Sequence, residues 1–193
     1  IAFGAALLLG APATAQTSDS APLGKSKLEQ LVAPIALYPD NLLSQVLMAS
    51  TYPLEVVEAA RWTRDHKDMA GKAVEDMMMK ERWDPSVKAL TAVPQTLQMM
   101  SDKLAWTQQL GDAFLAQQQD VLDAVQRLRQ RAEDAGNLKT TPQQVVRKTT
   151  PPVTTGSASS SAPAAIAIEP VDPEMLYVPV YDPGVIYGAW PYP

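Results

Sequence analysis

Chemistry in this chain has few places to begin. Cysteine is absent and histidine occurs once among 193 residues, which removes thiol nucleophiles, disulfide frameworks and Cys/His zinc sites. The single imidazole, His66, lies in the run Asp65-His66-Lys67-Asp68, which groups metal-type ligands. An imidazole with two carboxylates suits iron or zinc. Successive helical residues, however, fan out by about 100° and do not converge on one ion, and Lys67 sets a cation among them. A solvated helix end is the expected reading. A Ser-His-Asp triad would have to use His66, and no Gly-x-Ser-x-Gly elbow exists.

Carboxylate pairs are the next candidates. Glu55 and Glu58, and Asp120 and Asp123, each share a helix face, as acid and base must to flank a scissile bond. Near helix starts such pairs usually form a charged solvent face favoured by the macrodipole. Met77-Met78-Met79 and Met99-Met100 are soft ligands of the kind copper(I) prefers, but neighbouring helical positions diverge, so they read as core filler. No metal or cofactor is expected. Arg61-Trp62, Trp83 and Trp106 read as packing anchors between helices. The aromatic end of the chain is different: Tyr177, Tyr181, Tyr187 and Trp190, followed by Tyr192, form the candidate binding surface, able to stack on glycan rings or to grip a partner.

The elements that position these residues are mainly helical. Hydrophobic residues make up 46% and charged residues 19%, enough for a core. With 16 Lys+Arg against 21 Asp+Glu, the balance lacks the basic stripe of a nucleic-acid binder. Lys27–Leu37 carries Leu28, Leu31, Val32 and Ile35 on one face, with Pro34 set to bend or end it. Asp40 is placed to cap a helix over Asn41–Ala49. Proline at the first helical turn opens Pro53–His66, with Leu54, Val56, Val57 and Ala60 inward, and again opens helices at Pro85, capped by Asp84, and at Pro94. Asp112–Ala135 reads as one long helix, a rod of roughly 36 Å, with Phe114, Val121, Val125, Leu128 and Ala132 on its stripe and Leu115 and Leu122 widening it. Asp123 and Arg127, and Arg129 and Glu133, lie four apart on it, and Gly136 ends it.

Composition changes near residue 140, beyond which ten of the 17 prolines fall. Gln144–Thr149 is expected as a strand, Ile166–Ile168 as a second, and Met175–Tyr181 as an edge strand because Pro179 lacks a donor. The expected fold class is mainly α: an irregular multi-helix bundle with a long C-terminal helix and a small β-ribbon appendage. Its parts are a signal peptide over 1–15, a disordered lead-in over 16–24, a helical domain over 25–139, a strand over 140–150, a flexible linker over 151–165, a β-ribbon over 166–187 and the start of a Pro/Tyr-rich tail over 188–193.

Several blocks resemble a secreted bacterial family known as domain of unknown function 3300. They are LVAPIALYPDNLLSQVLMASTYPLEVVEAARW from Leu31 to Trp62, WDPSVKAL from Trp83, LGDAFLAQQQDVLDAVQRLR from Leu110, TPQQVV from Thr141 and IEPVDPEMLYVPVYDP from Ile168. The resemblance spans Leu28 to Pro193, with Val153–Ala165 longer and richer in Ser and Ala than the family pattern. It implies an exported protein, often with a low-complexity region to follow, and brings no catalytic residues.

The expected function is therefore a non-catalytic envelope protein, periplasmic or extracellular, acting as a binding or structural module. Its partner would be an envelope protein or the cell wall, with no nucleic acid and no membrane span after signal cleavage. The rival is a cell-wall hydrolase or lytic enzyme using a buried Glu. Export has its own test. Ile1–Gly10 is apolar and uncharged, Pro12 follows, and Ala13-Thr14-Ala15 supplies the small-x-small pattern of a signal peptidase site. N-terminal sequencing of the protein from its native host should begin at Gln16; a mature protein retaining Ile1–Gly10 rules cleavage out.

Overall fold

A computed structural model describes residues 22–68, 76–149, 164–172 and 178–189. The signal-peptide expectation and the linker expectation up to residue 163, with Tyr177, Trp190 and Tyr192, lie outside them; Ala165, expected to end the linker, opens a strand. Among the described residues, a β-hairpin is preceded by α1 (Lys25–Val32), α2 (Asp40–Ala49), α3 (Pro53–Asp65), α4 (Pro85–Leu90), α5 (Pro94–Asp102), α6 (Leu104–Ala116) and α7 (Gln118–Asp134), with residues 76–78 also helical. The hairpin is β1 (Gln144–Thr149) and β2 (Ala165–Pro170), and a short helix, α8 (Pro183–Ile186), comes after it. The fold is mainly α with a small antiparallel sheet.

Local signals account for most boundaries. Prolines occupy the first turns of α3, α4 and α5, where a missing N–H costs nothing. Asp84 caps α4, accepting from the Ser86 amide at 2.8 Å and from its hydroxyl at 2.5 Å. Gly136, at φ 74°, sits just past α7, and the Asn137 amide returns to the Ala132 carbonyl at 2.8 Å. α1 ends two residues before Pro34, and the chain turns through residues 33–38.

Three helical expectations need correction. Asp40 is the first residue of α2 and makes no cap; Pro39 holds that place. Leu54 is 75% exposed, while Val56, Ala59 and Ala60 carry the buried face of α3. The rod over Asp112–Ala135 is two helices broken at Gln117. There the backbone takes φ −148° and ψ 53°, and the side-chain amide bonds the Leu23 main chain from both ends, accepting at 2.7 Å and donating at 3.1 Å. The break frees Leu115 from the stripe, leaving it 73% exposed. Gly111 lets α6 approach the end of α2: a Cβ there would collide with the Ser50 carbonyl.

α1 packs on α7, α2 on α4 and α6, and α3 on α5. The hairpin pairs Val145 with Glu169, Val146 with Ile168 and Arg147 with Ala167. Its inner face packs into the helical core. Ile166, Ile168 and Tyr187 are at most 1% exposed and belong to the same core as Leu28, Val46, Leu97 and Leu128. Val178–Tyr181 forms no strand. A fragment of residues 24–138 therefore lacks part of its own core. Its far-UV circular dichroism is expected to show helix without a cooperative melt; a cooperative transition at the full chain's Tm means that the C-terminal segment is dispensable.

Candidate functional site

The chain between α1 and α2 sets the geometry of everything near it. Pro34 breaks the helical ladder, so buried carbonyls between Leu31 and Tyr38 need partners from elsewhere. Trp106 Nε1 donates to the Leu31 carbonyl at 2.8 Å. The Tyr181 and Tyr187 hydroxyls both donate to the Ala33 carbonyl, at 2.9 and 2.7 Å, and the Leu37 amide donates to the Tyr181 hydroxyl at 3.3 Å. A phenol is thus inserted where an Ala33–Leu37 helical bond would run.

Arg129, 1% exposed, completes the arrangement. Its Nε donates to the Ala36 carbonyl at 2.8 Å and Nη2 to the Tyr38 carbonyl at 3.0 Å. Its Nη1 donates to Asp40 at 2.6 Å and to the Ile166 carbonyl at 2.8 Å. Beside it, Gln126 brackets Ile166, accepting from its amide at 2.8 Å and donating to its carbonyl at 3.2 Å. These bonds bring α2, α7 and β2 around an apolar groove of about 510 Å³. Leu43, Leu47, Phe114, Leu122, Val125 and Ile166 line it, with the Asp40–Arg129 pair at one side. Met48 and Leu122, on its lining, are 47% and 37% exposed. Its size and lining fall in the range of sites that bury apolar groups, about 300–1,000 Å³.

The sequence candidates fall elsewhere. Tyr181 and Tyr187 turn inward, rings T-shaped with centroids 6.1 Å apart, so they hold the turn rather than offer free faces. Asp65, Lys67 and Asp68 are exposed at the end of α3. His66 stacks on Trp62 at 4.3 Å, its Nδ1 2.8 Å from the Trp62 carbonyl. Among the described residues no group of three His, Asp or Glu could hold a metal. Glu55 accepts from the Asp84 amide at 2.6 Å and Glu58 from the Trp83 indole at 3.2 Å. Asp123 meets Gln119 at 2.9 Å rather than Arg127. Arg127 and Arg131 instead clasp the buried Glu29, at 2.6 and 3.3 Å. Glu133 pairs with Lys148 at 2.8 Å, not with Arg129. Met100 is buried; Met78 receives the Thr91 hydroxyl, and Met79 is 73% exposed. The signal that pointed to the groove was the apolar spacing of α2 and α7, which reads as core in any sequence.

A model for a family described as protein of unknown function (DUF3300) matches residues 24–193. The Escherichia coli (strain K12) protein described as "Uncharacterized protein YacH" is 44% identical over 184 residues, covering 86% of this chain and 30% of that protein. The chain thus spans less than a third of that relative. No solved structure matches.

The tyrosine pair makes the fold sensitive to base. Burial pushes Tyr181 well above its ordinary value and raises Tyr187 too. Unfolded phenols titrate near about pH 10, so the folded state holds these protons more tightly. The stability they contribute is complete below that pH and is lost as pH rises through the folded-state values. Tm measured from about pH 9 to about pH 11 is expected to fall more steeply for the native chain than for Tyr181→Phe/Tyr187→Phe. The double variant should also be less stable throughout, by about 1–3 kcal/mol, because the Leu37 amide and Ala33 carbonyl lose their partners. Parallel pH slopes would show that the phenols are not protected.

Proposed function

The chain belongs to the DUF3300 family, whose description names no activity, and from the groove we propose that it is an exported, non-catalytic binding module of the bacterial cell envelope that docks a partner protein between α2, α7 and β2. The single observation that carries this reading is the open apolar groove with half-exposed Met48 and Leu122 on its lining; a mostly apolar recess of this size with a few polar groups is the usual form of a binding site. The groove favours a protein over the cell wall. Glycan strands are held by stacked aromatic faces, whereas Phe114 is the one aromatic ring on this lining, and of its polar side chains Arg129 and Gln126 are already bonded to the Ile166 main chain. The described glutamates nearest to a catalytic role support the same reading: Glu29 answers two guanidinium groups, and Glu55 and Glu58 accept structural hydrogen bonds. Export rests on the leader pattern of Ile1–Ala15. No described helix is long and apolar enough to cross a membrane.

The test is a photo-crosslink in the native host. A benzophenone side chain replaces Leu122 in the full-length protein, with Gln95 on α5 as the control position, and cell fractions are irradiated and the adducts sequenced. The expected result is an adduct from Leu122 alone, in the envelope fraction, to an envelope protein. A cytoplasmic protein, or equal labelling from both positions, refutes the proposal.

A further inference from the structure

Main-chain pairing is closed off beside the groove. β2 presents Ile166 there, but Gln126 already holds both its amide and its carbonyl, and Arg129 adds a second bond to the carbonyl. The outer edge of β1 is occupied over Gln144 and Val146 as well. The Thr140 hydroxyl accepts from the Val146 amide at 3.0 Å, and Thr141 answers Gln144, its amide donating to the Gln144 carbonyl at 2.9 Å. At Ile166, Gln144 and Val146 an incoming strand meets backbone groups already bonded to side chains or to the preceding turn, not the open row that β-augmentation needs. What remains for a partner is side-chain contact with two helices and the apolar face of β2.

Charge narrows the occupant further. Arg129 uses four of its five N–H groups on protein acceptors and is enclosed. Asp40 is its opposite: the side chain is 47% exposed, and among the described residues its ion pair uses Oδ1. The accessible charge on the lining is therefore negative. Ser44, Gln118 and Gln126 are the neutral polar side chains around it, besides Thr149.

We infer that the groove holds one amphipathic α-helix of a partner protein, its apolar face turned in and a lysine or arginine set against Asp40. This rests on the reading of the groove as a docking site. A helix satisfies its own backbone, so capped strand edges do not count against it, and its i, i+3, i+4, i+7 side chains suit an aliphatic trough.

The experiment uses the full chain and three labelled peptides of roughly 16 residues, about 24 Å as helix. The first carries leucine at i, i+3, i+4 and i+7 with lysine on the other face. The second replaces lysine by glutamate. The third is the lysine peptide with two central prolines. Fluorescence anisotropy should show the lysine helix binding at least about 10-fold tighter than either other peptide, a gap of about 1.4 kcal/mol. Leu122→Glu and Met48→Glu, both at exposed positions, should each weaken it by a similar factor with circular dichroism unchanged. An added glutamate strengthens nonspecific attraction of a cationic peptide, so weakening isolates the groove. Asp40→Asn, which keeps the acceptor for Arg129, should narrow the lysine-to-glutamate difference.

Equal binding of the proline peptide overturns the helix, as does failure of all three. Self-association abolished by Leu122→Glu makes the occupant a second copy and overturns it too. The two readings fail separately. If the peptides fail while the Leu122 crosslink identifies an envelope protein, docking stands and the helix falls. If the lysine helix binds but no envelope adduct forms in cells, the groove chemistry stands and the envelope role falls.

Discussion

One buried guanidinium organises this molecule. Taking an arginine out of water costs several kcal/mol even after relaxation, and only well-placed acceptors offset that cost. Arg129 has four: the carbonyls of Ala36, Tyr38 and Ile166, and the Asp40 carboxylate. They belong to the turn after α1, the start of α2 and the strand β2, so α7 is clamped to three segments far away in the chain. Removing the side chain would strand the Ala36 and Tyr38 carbonyls and take one bond each from Asp40 and from Ile166, which Gln126 still holds. Each buried acceptor left without a donor costs about 1–3 kcal/mol, a large fraction of the stability of an ordinary domain.

The need for the clamp traces to Pro34. A helix continuing from α1 would satisfy its own carbonyls, but proline lacks the donor and blocks the ladder. The chain turns while still inside the core, where exposed peptide groups cannot reach water. The Trp106 indole, the Tyr181 and Tyr187 phenols and Arg129 supply what the helix would have supplied. This explains why the segment after the hairpin is part of the fold. Its tyrosines complete a turn that lies about 150 residues earlier, at separations of 148 and 154. Two aromatic rings at right angles fill the space that the turn opens.

How much of this the sequence made legible depends on the range of the cause. Proline starts at Pro53, Pro85 and Pro94, the Asp84 cap and the Gly136 stop are local, and local chemistry predicts them, whereas the alternation of Met175–Tyr181 suggested a strand that its described part, Val178–Tyr181, does not form. The apolar stripe of α7 was legible for the same reason. The break at Gln117 was not: no proline or glycine marks it, and its partner Leu23 is 94 residues away. Asp40 looked like a cap because its position before α2 suggests one, yet Arg129 claims it from 89 residues off. Charged side chains four apart suggested pairs along α7, whereas Arg127, Arg129 and Glu133 all answer other elements. Tyr181 and Tyr187 read as a docking surface because an aromatic, proline-rich tail carries no periodicity to show which way its rings face. The groove was the least legible feature, since α2, α7 and β2 meet only through these long-range bonds.

The groove and the clamp share their polar residues, and that has a physical consequence. Asp40 and Arg129 are at once part of the groove lining and the link between α2 and α7. The site is therefore built on rigid elements with its one charged contact already oriented, so little ordering cost is left to an occupant. Conversely, an occupant that engages the free side of Asp40 binds the folded state alone and stabilises it by mass action. Since the aliphatic walls Leu43, Leu47 and Val125 are themselves core residues at most 5% exposed, the groove cannot loosen without loosening the bundle. The shape of this face is therefore coupled to the integrity of the whole fold.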